Sequence, residues 1–491
     1  MKKSLLSIFL FLAAFQLISA QTFTTPNTGV TWTLDDIAAA SPTTITVSGD
    51  TYTLWENLIV SENDTVLFNK ELTLAIDADL LITVFGAFKI VTSGDVVTFT
   101  ALDQNMPYKG FRFEEFSDIE LRNAIIEYGG GLRVLTETFY LSGCMLENNV
   151  AGATTSAVVQ LSRGNPEILN NSFINNDLPA IGAAANAQVS ARIETNYLRG
   201  NNQENTNRPQ INLGVTQASE GLLIKNNTII GDPALDMVGG IAVANFVGGN
   251  LTALIEGNII QNNRYGITII GPSDMVWIRD NVIEDNNTQG DPMLGGSGIS
   301  LNTNVGRTPV LVSGNEFRRN LWGITVIDQA VINMGDDDQN PGGNIFSENE
   351  NNGETFALYN NTPNPVLAKH NCWIEGQLST VEQVEDVIFH KTDDPTLGEV
   401  IFEPFICSIL GVGDYALENF SFYPNPVENQ INFNNLFSLE RIEIYGVQGN
   451  LISAEAISEG LNRVSINLAS GLYFVRFSNK YESITKKMMV K

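Results

Sequence analysis

The stretch Asn171-Ser-Phe-Ile-Asn-Asn176 decides the fold, because close copies of it return through the middle of the chain. Each copy starts with Asn, continues through any residue and an apolar residue, and ends in a polar cluster that contains Asn or Asp. The copies start at Asn123, Cys144, Asn171, Asn196, Asn227, Asn258, Asn281, Asn315, Asn344 and Asn371, with Cys144 in the Asn position. Intervals of 21 to 34 residues fit one turn of a solenoid with loops of varying length.

Short strand-like stretches separate the copies. Residues 157–161 and 266–270 are rich in Val, Ile and Leu and are bounded by Gly, Asn or Asp, as strands are. Helical periodicity is almost absent from this region. Asn turns the chain between strands, and stacked coils place one Asn above the next at about 4.8 Å. A ladder of buried amides therefore gives a cause for the 36 Asn among residues 165–371.

This pattern resembles the parallel β-helix repeat of polysaccharide lyases and many bacterial surface proteins. The resemblance covers residues 120–375 clearly and residues 42–118 more weakly, through Thr44-Ile-Thr-Val and Leu72-Thr-Leu-Ala-Ile. A propeller would repeat every 40–50 residues or so, and a leucine-rich repeat would show a regular Leu frame. We therefore predict an all-β protein in which a right-handed parallel β-helix, residues 21–408, precedes a small C-terminal β-sandwich. Residues 33–40 are expected to cap the first coil as a short helix.

The end of the repeat region carries further detail. Asn371-Cys372-Trp373-Ile374 stands where secreted bacterial β-helix proteins often carry Asn-Trp-Trp-Gly, and residues 382–389 suggest a closing helix. Cys372 and Cys407 both lie near this end, so a disulfide between them would close it in an oxidising compartment. The pairing of cysteines in disulfides cannot be read from the sequence. We interpret Cys144 as a small apolar residue of the core.

Both chain ends predict export. Residues 1–20 read as a signal peptide, with Lys2 and Lys3 before an apolar run and Ser19-Ala20 at its end. No later segment approaches the 18 apolar residues of a membrane span. After a linker at 409–418, residues 419–491 suggest a small sandwich.

The order of phrases in this tail closely resembles the C-terminal sorting domain of type IX secretion. The phrases contain Tyr423, Pro424, Asn425, Pro426, Gly449, Gly471 and Tyr473. The resemblance implies the type IX machinery as partner, passage through the periplasm of a Gram-negative bacterium, and release or surface attachment after removal of the domain. The alternative is an accessory sandwich such as a carbohydrate-binding module.

The net charge of the chain limits the classes of molecule that it can bind. The chain has 55 Asp and Glu against 27 Lys and Arg, a net charge of −28, which excludes nucleic acid as a reasonable partner. Acidic polysaccharides would need a bridging cation such as calcium. Asp336, Asp337 and Asp338 are the candidate calcium ligands, and the alternative is a solvated loop. Two His and no CxxC pair argue against zinc.

No catalytic residue is assigned from the sequence. Candidates for sugar contact are Arg264, Arg279, Arg318 and Arg319 at turns, and Tyr265 and Trp322 as exposed aromatics, with turn exposure and packing as their alternatives. The motifs of pectin-cleaving β-helices are missing, and neither His370 nor His390 is placed as a base. We expect a monomeric, non-catalytic glycan-binding or surface-binding protein. The alternative is a polysaccharide lyase or glycoside hydrolase with a site on the β-helix flank.

Overall fold

The computed structural model describes residues 21–407 apart from 93, 292–294 and 307, and residues 420–491 apart from 421, 434–438, 458–462 and 480–482. The predicted signal peptide, residues 1–20, and the predicted linker, residues 409–418, lie outside the described residues. Within those ranges, we find no helix with the length and apolar character needed to cross a membrane.

Each coil of the N-terminal unit passes through three sheets in turn, which we number sheet 1, sheet 2 and sheet 3. Neighbouring strands within each sheet are parallel, apart from the first pair in sheet 3. In the described residues, sheet 1 consists of Thr22–Thr24, Asn57–Val60, Leu81–Val84, Gly110–Phe113, Leu132–Val134, Val159–Leu161, Ile181–Ala183, Ile211–Leu213, Ile241–Ala244, Ile267–Ile270, Ser297–Thr303, Trp322–Asp328, Leu358–Asn361 and Ile388–Phe389.

The other two sheets follow the same order along the chain. Sheet 2 consists of Thr31–Trp32, Thr65–Phe68, Ala87–Ile90, Asp118–Arg122, Thr138–Ser142, Glu167–Leu169, Arg192–Glu194, Leu222–Lys225, Thr252–Glu256, Met275–Arg279, Val310–Ser313, Ile332–Gly335, Val366–Ala368 and Val400–Ile401. Sheet 3 consists of Ile45–Ser48, Thr51–Leu54, Leu72–Ile76, Val97–Ala101, Ala124–Glu127, Met145–Glu147, Ser172–Ile174, Tyr197–Arg199, Thr228–Ile230, Ile259–Gln261, Val282–Glu284, Glu316–Arg318 and Ile345–Ser347. This arrangement is the predicted parallel β-helix.

The core fills the space between the three sheets. Side chains alternate along each strand, so one set points inward and is buried, as in Asn57–Val60, where Leu58 and Val60 have no exposed area. Near the N-terminal end the rings of Phe68, Phe88 and Phe99 pack against one another in tilted and edge-to-face arrangements, with ring centroids 5.0 to 6.1 Å apart. Burial of such an apolar column supplies the main stabilising free energy of the solenoid.

Three kinds of turn connect the sheets: turn 1 runs from sheet 1 to sheet 2, turn 2 from sheet 2 to sheet 3, and turn 3 from sheet 3 back to sheet 1. Turn 2 contains the predicted ladder. Asn196 donates through Nδ2 to the carbonyl of Ile168 at 2.9 Å and to Oδ1 of Asn227 at 2.9 Å. The ladder, buried throughout, contains Asn171, Asn196, Asn227, Asn258, Asn281, Asn315, Asn344 and Asn371.

A second ladder lies five residues further along each coil, in turn 3. Its members are Asn149, Asn176, Asn201, Asn263, Asn286, Asn320 and Asn349. In the coil where Asp232 holds this position, Gln210 fills the gap. It accepts from Asn201 Nδ2 at 3.0 Å and donates to Asn263 Oδ1 at 3.0 Å, so the chain of amides is continuous.

Both ends of the solenoid carry a short helix. Helix Leu34–Ala40 starts at the N-cap Thr33, whose side chain and that of Asp36 form a capping box, and it buries Leu34 and Ile37. At the other end the helix is Val381–Glu385. The expectation of a helix through residue 389 is wrong, because Ile388–Phe389 extends sheet 1 by pairing with Leu358 and Tyr359.

The C-terminal unit is a β-sandwich of two antiparallel sheets. One sheet contains Phe422–Tyr423, Gln430–Phe433 and Arg463–Ser465, and the other contains Leu451–Ala456, Arg441–Gly446, Gly471–Ser478 and Ser483–Val490. Their inner faces share one core that includes Val427, Phe433, Val475 and Phe477. A small two-stranded hairpin, Glu350–Asn351 with Glu354–Thr355, belongs to the β-helix unit instead.

Candidate functional site

Turn length singles out one flank of the β-helix. Most copies of turn 2 are two residues long, as between Leu169 and Ser172. Turns 1 and 3 are longer and more variable. Examples are residues 184–191, 214–221 and 245–251 in turn 1, and residues 148–158, 200–210 and 231–240 in turn 3. Sheet 1 lies between these two turns, so variable loops border its outer face on both sides, the usual setting of a binding site.

The outward-facing residues of sheet 1 form one continuous row, which we name the sheet 1 floor. In register, coil after coil, they are Arg112, Arg133, Gln160, Gly182, Asn212, Ala242, Thr268, Ser300 and Thr325. Strands of a sheet lie about 4.8 Å apart, so the row extends for roughly 40 Å along the solenoid. Cationic, polar and small side chains line it, with no large apolar residue among them.

Arg133 is the residue of this floor with a buried nitrogen that lacks a hydrogen-bond partner among the described residues. It lies directly opposite Arg112 on the neighbouring strand. Arg112 is paired with Glu114, with Nε 2.5 Å from Oε1. Arg133 is half-buried, and its Nε is buried without a hydrogen-bond partner in the part of the chain that the structure describes. The planar guanidinium is half-buried on the outer face, and its geometry suits a carboxylate or sulfate group.

Sequence reasoning missed Arg133. Leu132-Arg-Val134 alternates apolar, charged and apolar residues, which is sufficient to point the guanidinium outward from a strand. The pattern does not tell which sheet the strand joins, nor that Arg112 and Gln160 are its neighbours. Those facts depend on the register between coils.

Short polar side chains occupy the middle of the floor. Thr268 donates through Oγ1 to the carbonyl of Ser300 at 3.1 Å, and the hydroxyls of Ser297 and Thr325 lie 2.6 Å apart. Gln160 accepts the backbone N–H of Thr155 at 3.4 Å, so one oxygen of the floor is fixed by turn 3. The hydroxyls of Thr268 and Thr325 are buried, so the half-buried Gln160, Asn212 and Ser300 are the floor residues whose amides and hydroxyl match the hydroxyl groups of a sugar.

Aromatic rings close the C-terminal end of the same face. The rings of Trp322 and Tyr359 stack with centroids 4.3 Å apart, and those of Tyr359 and Phe389 with centroids 4.4 Å apart. The expectation that Trp322 is exposed is wrong, because it is only 7% exposed within this column. Its ring face is occupied by Tyr359 and is not open to a sugar.

The other predicted aromatic also packs against the protein. Tyr265 covers Gly239, where an added Cβ would lie 2.1 Å from the ring. Burial raises the pKa of the Tyr265 hydroxyl. The packing interpretation, kept open from the sequence, therefore describes both aromatic residues better than sugar stacking does.

All four predicted arginines are engaged with protein groups. Arg264 is 8% exposed and donates to Asn207 Oδ1 at 2.6 Å. Arg279 donates to Oε2 of Glu256 from Nη2 at 2.7 Å and from Nε at 2.9 Å. Neighbouring carboxylates hold the remaining pair, Arg318 with Glu316 and Glu375, and Arg319 with Glu284 and Asp285.

The predicted calcium loop is organised by hydrogen bonds within the protein. One oxygen of Asp336 accepts the backbone N–H groups of Asp338, Gln339 and Asn340 at 2.7 to 3.0 Å. Asp337 pairs instead with Lys369 and His370. The three carboxylates do not converge, and no group of three or more His, Cys, Asp or Glu in the described residues is arranged to hold a metal.

Two cysteines and two histidines stabilise the C-terminal coils. Cys372 and Cys407 form a disulfide, while Cys144 is a buried free thiol. His390 is 3% exposed. Its Nδ1 accepts the backbone N–H of Val400 at 2.8 Å, which leaves the proton on Nε2 facing Glu385. Neither His390 nor His370 belongs to the sheet 1 floor.

The residues singled out in the tail have structural roles in the sandwich. Asn425 donates to the carbonyl of Lys487 at 2.9 Å and accepts the N–H of Met489 at 2.9 Å, which ties the first phrase to the last strand. Pro424 and Pro426 flank it, each after a cis peptide bond, and Tyr423 is 62% exposed. Gly449 has φ of +80°, and Tyr473 donates to the carbonyl of Ala469. Gly471 pairs with Val490 at the sheet end.

Comparison with known proteins bears on the two units separately. Residues 421–491 match the secretion system C-terminal sorting domain. No curated protein matches the chain. Among solved structures, the periplasmic alginate epimerase AlgG is similar with a TM-score of 0.42 and 12% identity, over 76% of this chain and 83% of that chain. The C-terminal domain is thus a type IX sorting domain, and the chain is an exported parallel β-helix protein delivered to the cell surface or the extracellular space.

Proposed function

We propose that the β-helix is a non-catalytic glycan-binding unit and that the sheet 1 floor is its site. The observation that carries this proposal is Arg133, a half-buried guanidinium on the outer face of sheet 1 whose Nε is buried without a hydrogen-bond partner in the described residues. A cation kept in this state costs free energy unless a ligand compensates it. Its planar, charged guanidinium favours a carboxylate or sulfate over a neutral hydroxyl.

The ligand that suits this floor is an extended glycan bearing acidic groups. Arg133 binds an acidic group, and Gln160, Asn212 and Ser300 offer amide and hydroxyl groups to sugars further along. The net charge of −28 opposes an acidic polymer over most of the surface. Contact with the acidic group is therefore confined to the part of the flank where Arg112 and Arg133 lie side by side, and the rest of the floor contacts only neutral parts of the glycan.

The test is affinity electrophoresis of the mature chain, residues 21–491, in gels that contain either an acidic polysaccharide such as alginate or pectate, or a neutral one such as xylan. We expect retardation by an acidic polymer. Arg133→Ala should weaken the affinity for that polymer by about 10-fold to 100-fold, because a charge-assisted hydrogen bond is lost. Arg133→Lys keeps the charge but not the planar set of donors. The retardation of this variant should therefore lie between those of the native chain and of Arg133→Ala.

Arg192→Ala is the matched control. Arg192 also points outward from a strand, but on sheet 2, and is already paired with Glu167 and Glu194. Equal loss in the Arg192 and Arg133 variants would contradict a localised site. Retardation by the neutral polymer alone would contradict the anionic ligand. Release of reducing ends or unsaturated uronates from any polymer would contradict a non-catalytic role and establish the lyase or hydrolase alternative.

A further inference from the structure

The four-stranded sheet of the sorting domain has an inner and an outer face with different roles. Inward-facing residues such as Ile444, Val475 and Met488 are buried in the sandwich core. One end of the outer face is apolar as well, which is unusual for a sheet face that meets water. Its apolar residues, which we name the sorting-domain face, are Tyr445, Leu451, Leu472, Phe474 and Met489.

These residues are neighbours across four strands. Tyr445 lies opposite both Leu451 and Phe474, and Leu472 lies opposite Met489. Leu451 is 51% exposed, Met489 49%, Phe474 38% and Leu472 37%. Since the pairs are in register, the side chains form one patch rather than scattered apolar positions. A contiguous exposed apolar patch of this kind marks an interaction surface.

Cations border this patch. Lys487 lies directly opposite Phe474, and Arg476 follows two residues after Phe474 on the same face. Arg476 donates to the hydroxyl of Ser483 and lies directly opposite Glu443, whereas no ion pair of Lys487 with a carboxylate is seen in the described residues. The complementary surface is therefore apolar with an acidic rim.

The charge of the two units supports the same conclusion. Residues 421–491 contain seven basic and six acidic residues, whereas the whole chain carries a net charge of −28. The acidic charge of the chain is thus concentrated outside the sorting domain. We infer that the sorting-domain face is the surface by which the export machinery holds this chain, through an apolar patch with an acidic rim on a machinery protein.

The inference is tested with the full chain, residues 1–491, produced in a bacterium that has type IX secretion. Phe474→Ser removes the central apolar anchor, and Lys487→Glu reverses the rim charge. We expect each substitution to lower the secreted fraction by about tenfold and to cause accumulation in the periplasm, because each removes one anchor of the interface. Phe246→Ser is the control, because Phe246 is 67% exposed on turn 1 of the β-helix.

Folding is checked on the purified full chain by trypsin resistance of the sorting domain. If Phe474→Ser proves sensitive to trypsin, Lys487→Glu decides, because an exposed charge at this position has little role in folding. Normal secretion of a folded Phe474→Ser or of Lys487→Glu would overturn the inference. Equal retention of Phe246→Ser would overturn it as well, since the loss would not then be specific to this face.

Discussion

Asn227 donates both its backbone N–H and its side-chain amide to a single oxygen, Oδ1 of Asn258 in the following coil, each at 2.9 Å. The same side chain of Asn227 also donates to the carbonyl of Ile193 in the preceding coil at 2.9 Å. One residue thus connects three coils, and all of its partners are buried. Because a buried amide without a partner costs free energy, each member of the ladder depends on the next.

Asn258→Ala should destabilise the β-helix strongly. The substitution removes the acceptor of two Asn227 donors and the donor to Ile224 O, at a cost of about 3 kcal/mol for the groups left unpaired. Urea unfolding of the mature chain measures this change. The exposed Asn361 provides the control, for which Ala should cost about 0.5 kcal/mol or less. Similar losses in both variants would argue against the ladder as the cause.

Cys144 stands at the start of the same ladder and can be converted into a member of it. Its N–H donates to Asn171 Oδ1 at 2.9 Å, and its Sγ accepts the N–H of Ala124 at 3.4 Å. We expect Cys144→Asn to keep or raise the midpoint of unfolding, because the amide replaces a weak sulfur contact with full hydrogen bonds. Cys144→Ala should lower it. A larger loss for Asn than for Ala would show that the site lacks room for an amide.

The disulfide should stabilise the C-terminal coils. Cys372 and Cys407 enclose a loop with a sequence separation of 35, for which chain entropy predicts roughly 3–4 kcal/mol. The double variant Cys372→Ser, Cys407→Ser should lose this amount in denaturant unfolding. Added reductant should lower the midpoint of the native chain and leave that of the variant unchanged. A native chain insensitive to reductant would contradict the prediction.

Asp336 should make the stability of the C-terminal coils depend on pH. The N–H of Asn340, the side chain of Asn333 and the N–H groups of Asp338 and Gln339 donate to its carboxylate and hold its pKa well below the usual range. A lowered pKa in the folded state gives stability that is present above the unfolded pKa of about 3.9 and lost as pH falls through the folded value.

Asp336→Asn therefore lowers the melting temperature at pH 7, and its difference from the native chain shrinks below about pH 4. Differential scanning calorimetry across this range makes the comparison, with the substitution Asp338→Asn as control, because no hydrogen bond to the Asp338 carboxylate is seen in the described residues. A constant difference from pH 7 to pH 3 would contradict the account.

Calcium should leave the loop unchanged. Because Asp336 is occupied by N–H donors and Asp337 by Lys369 and His370, the carboxylates are not available as a shared ligand set. We expect equal unfolding temperatures with calcium and with chelator. A calcium-dependent rise that disappears in Asp337→Asn would restore the calcium site expected from the sequence.

The sequence was sufficient for the ladder of turn 2 and for the sorting domain. Asn repeats there at a fixed place in each phrase, and one physical rule, that buried amides must be paired, converts the repeat into a stack. The second ladder had the same kind of signal, an Asn five residues later, but Asp232 breaks the pattern. Gln210 is remote from that phrase in sequence, so only the folded coil reveals that it completes the chain of amides.

The candidate site was much less predictable. Arg133 belongs to no repeated phrase, and its significance comes from what lies beside it and from the partner it lacks. In contrast, Arg318 and Arg319 were visible as charged residues near turns, and the structure pairs both with carboxylates up to 57 residues away. The alternation of apolar and polar residues along a strand indicates which side chain points outward. The register between coils determines which residues lie beside it.

Turn 2 keeps its two-residue form through most of the described coils, so the attachment of one coil to the next is nearly uniform. A protein built on a uniform attachment can gain or lose an entire coil, and each would change the length of the rod by about 4.8 Å. Turns 1 and 3 can vary without touching that attachment. The length of the solenoid is therefore set by how many coils are stacked, and the loops beside the floor can change independently of that length.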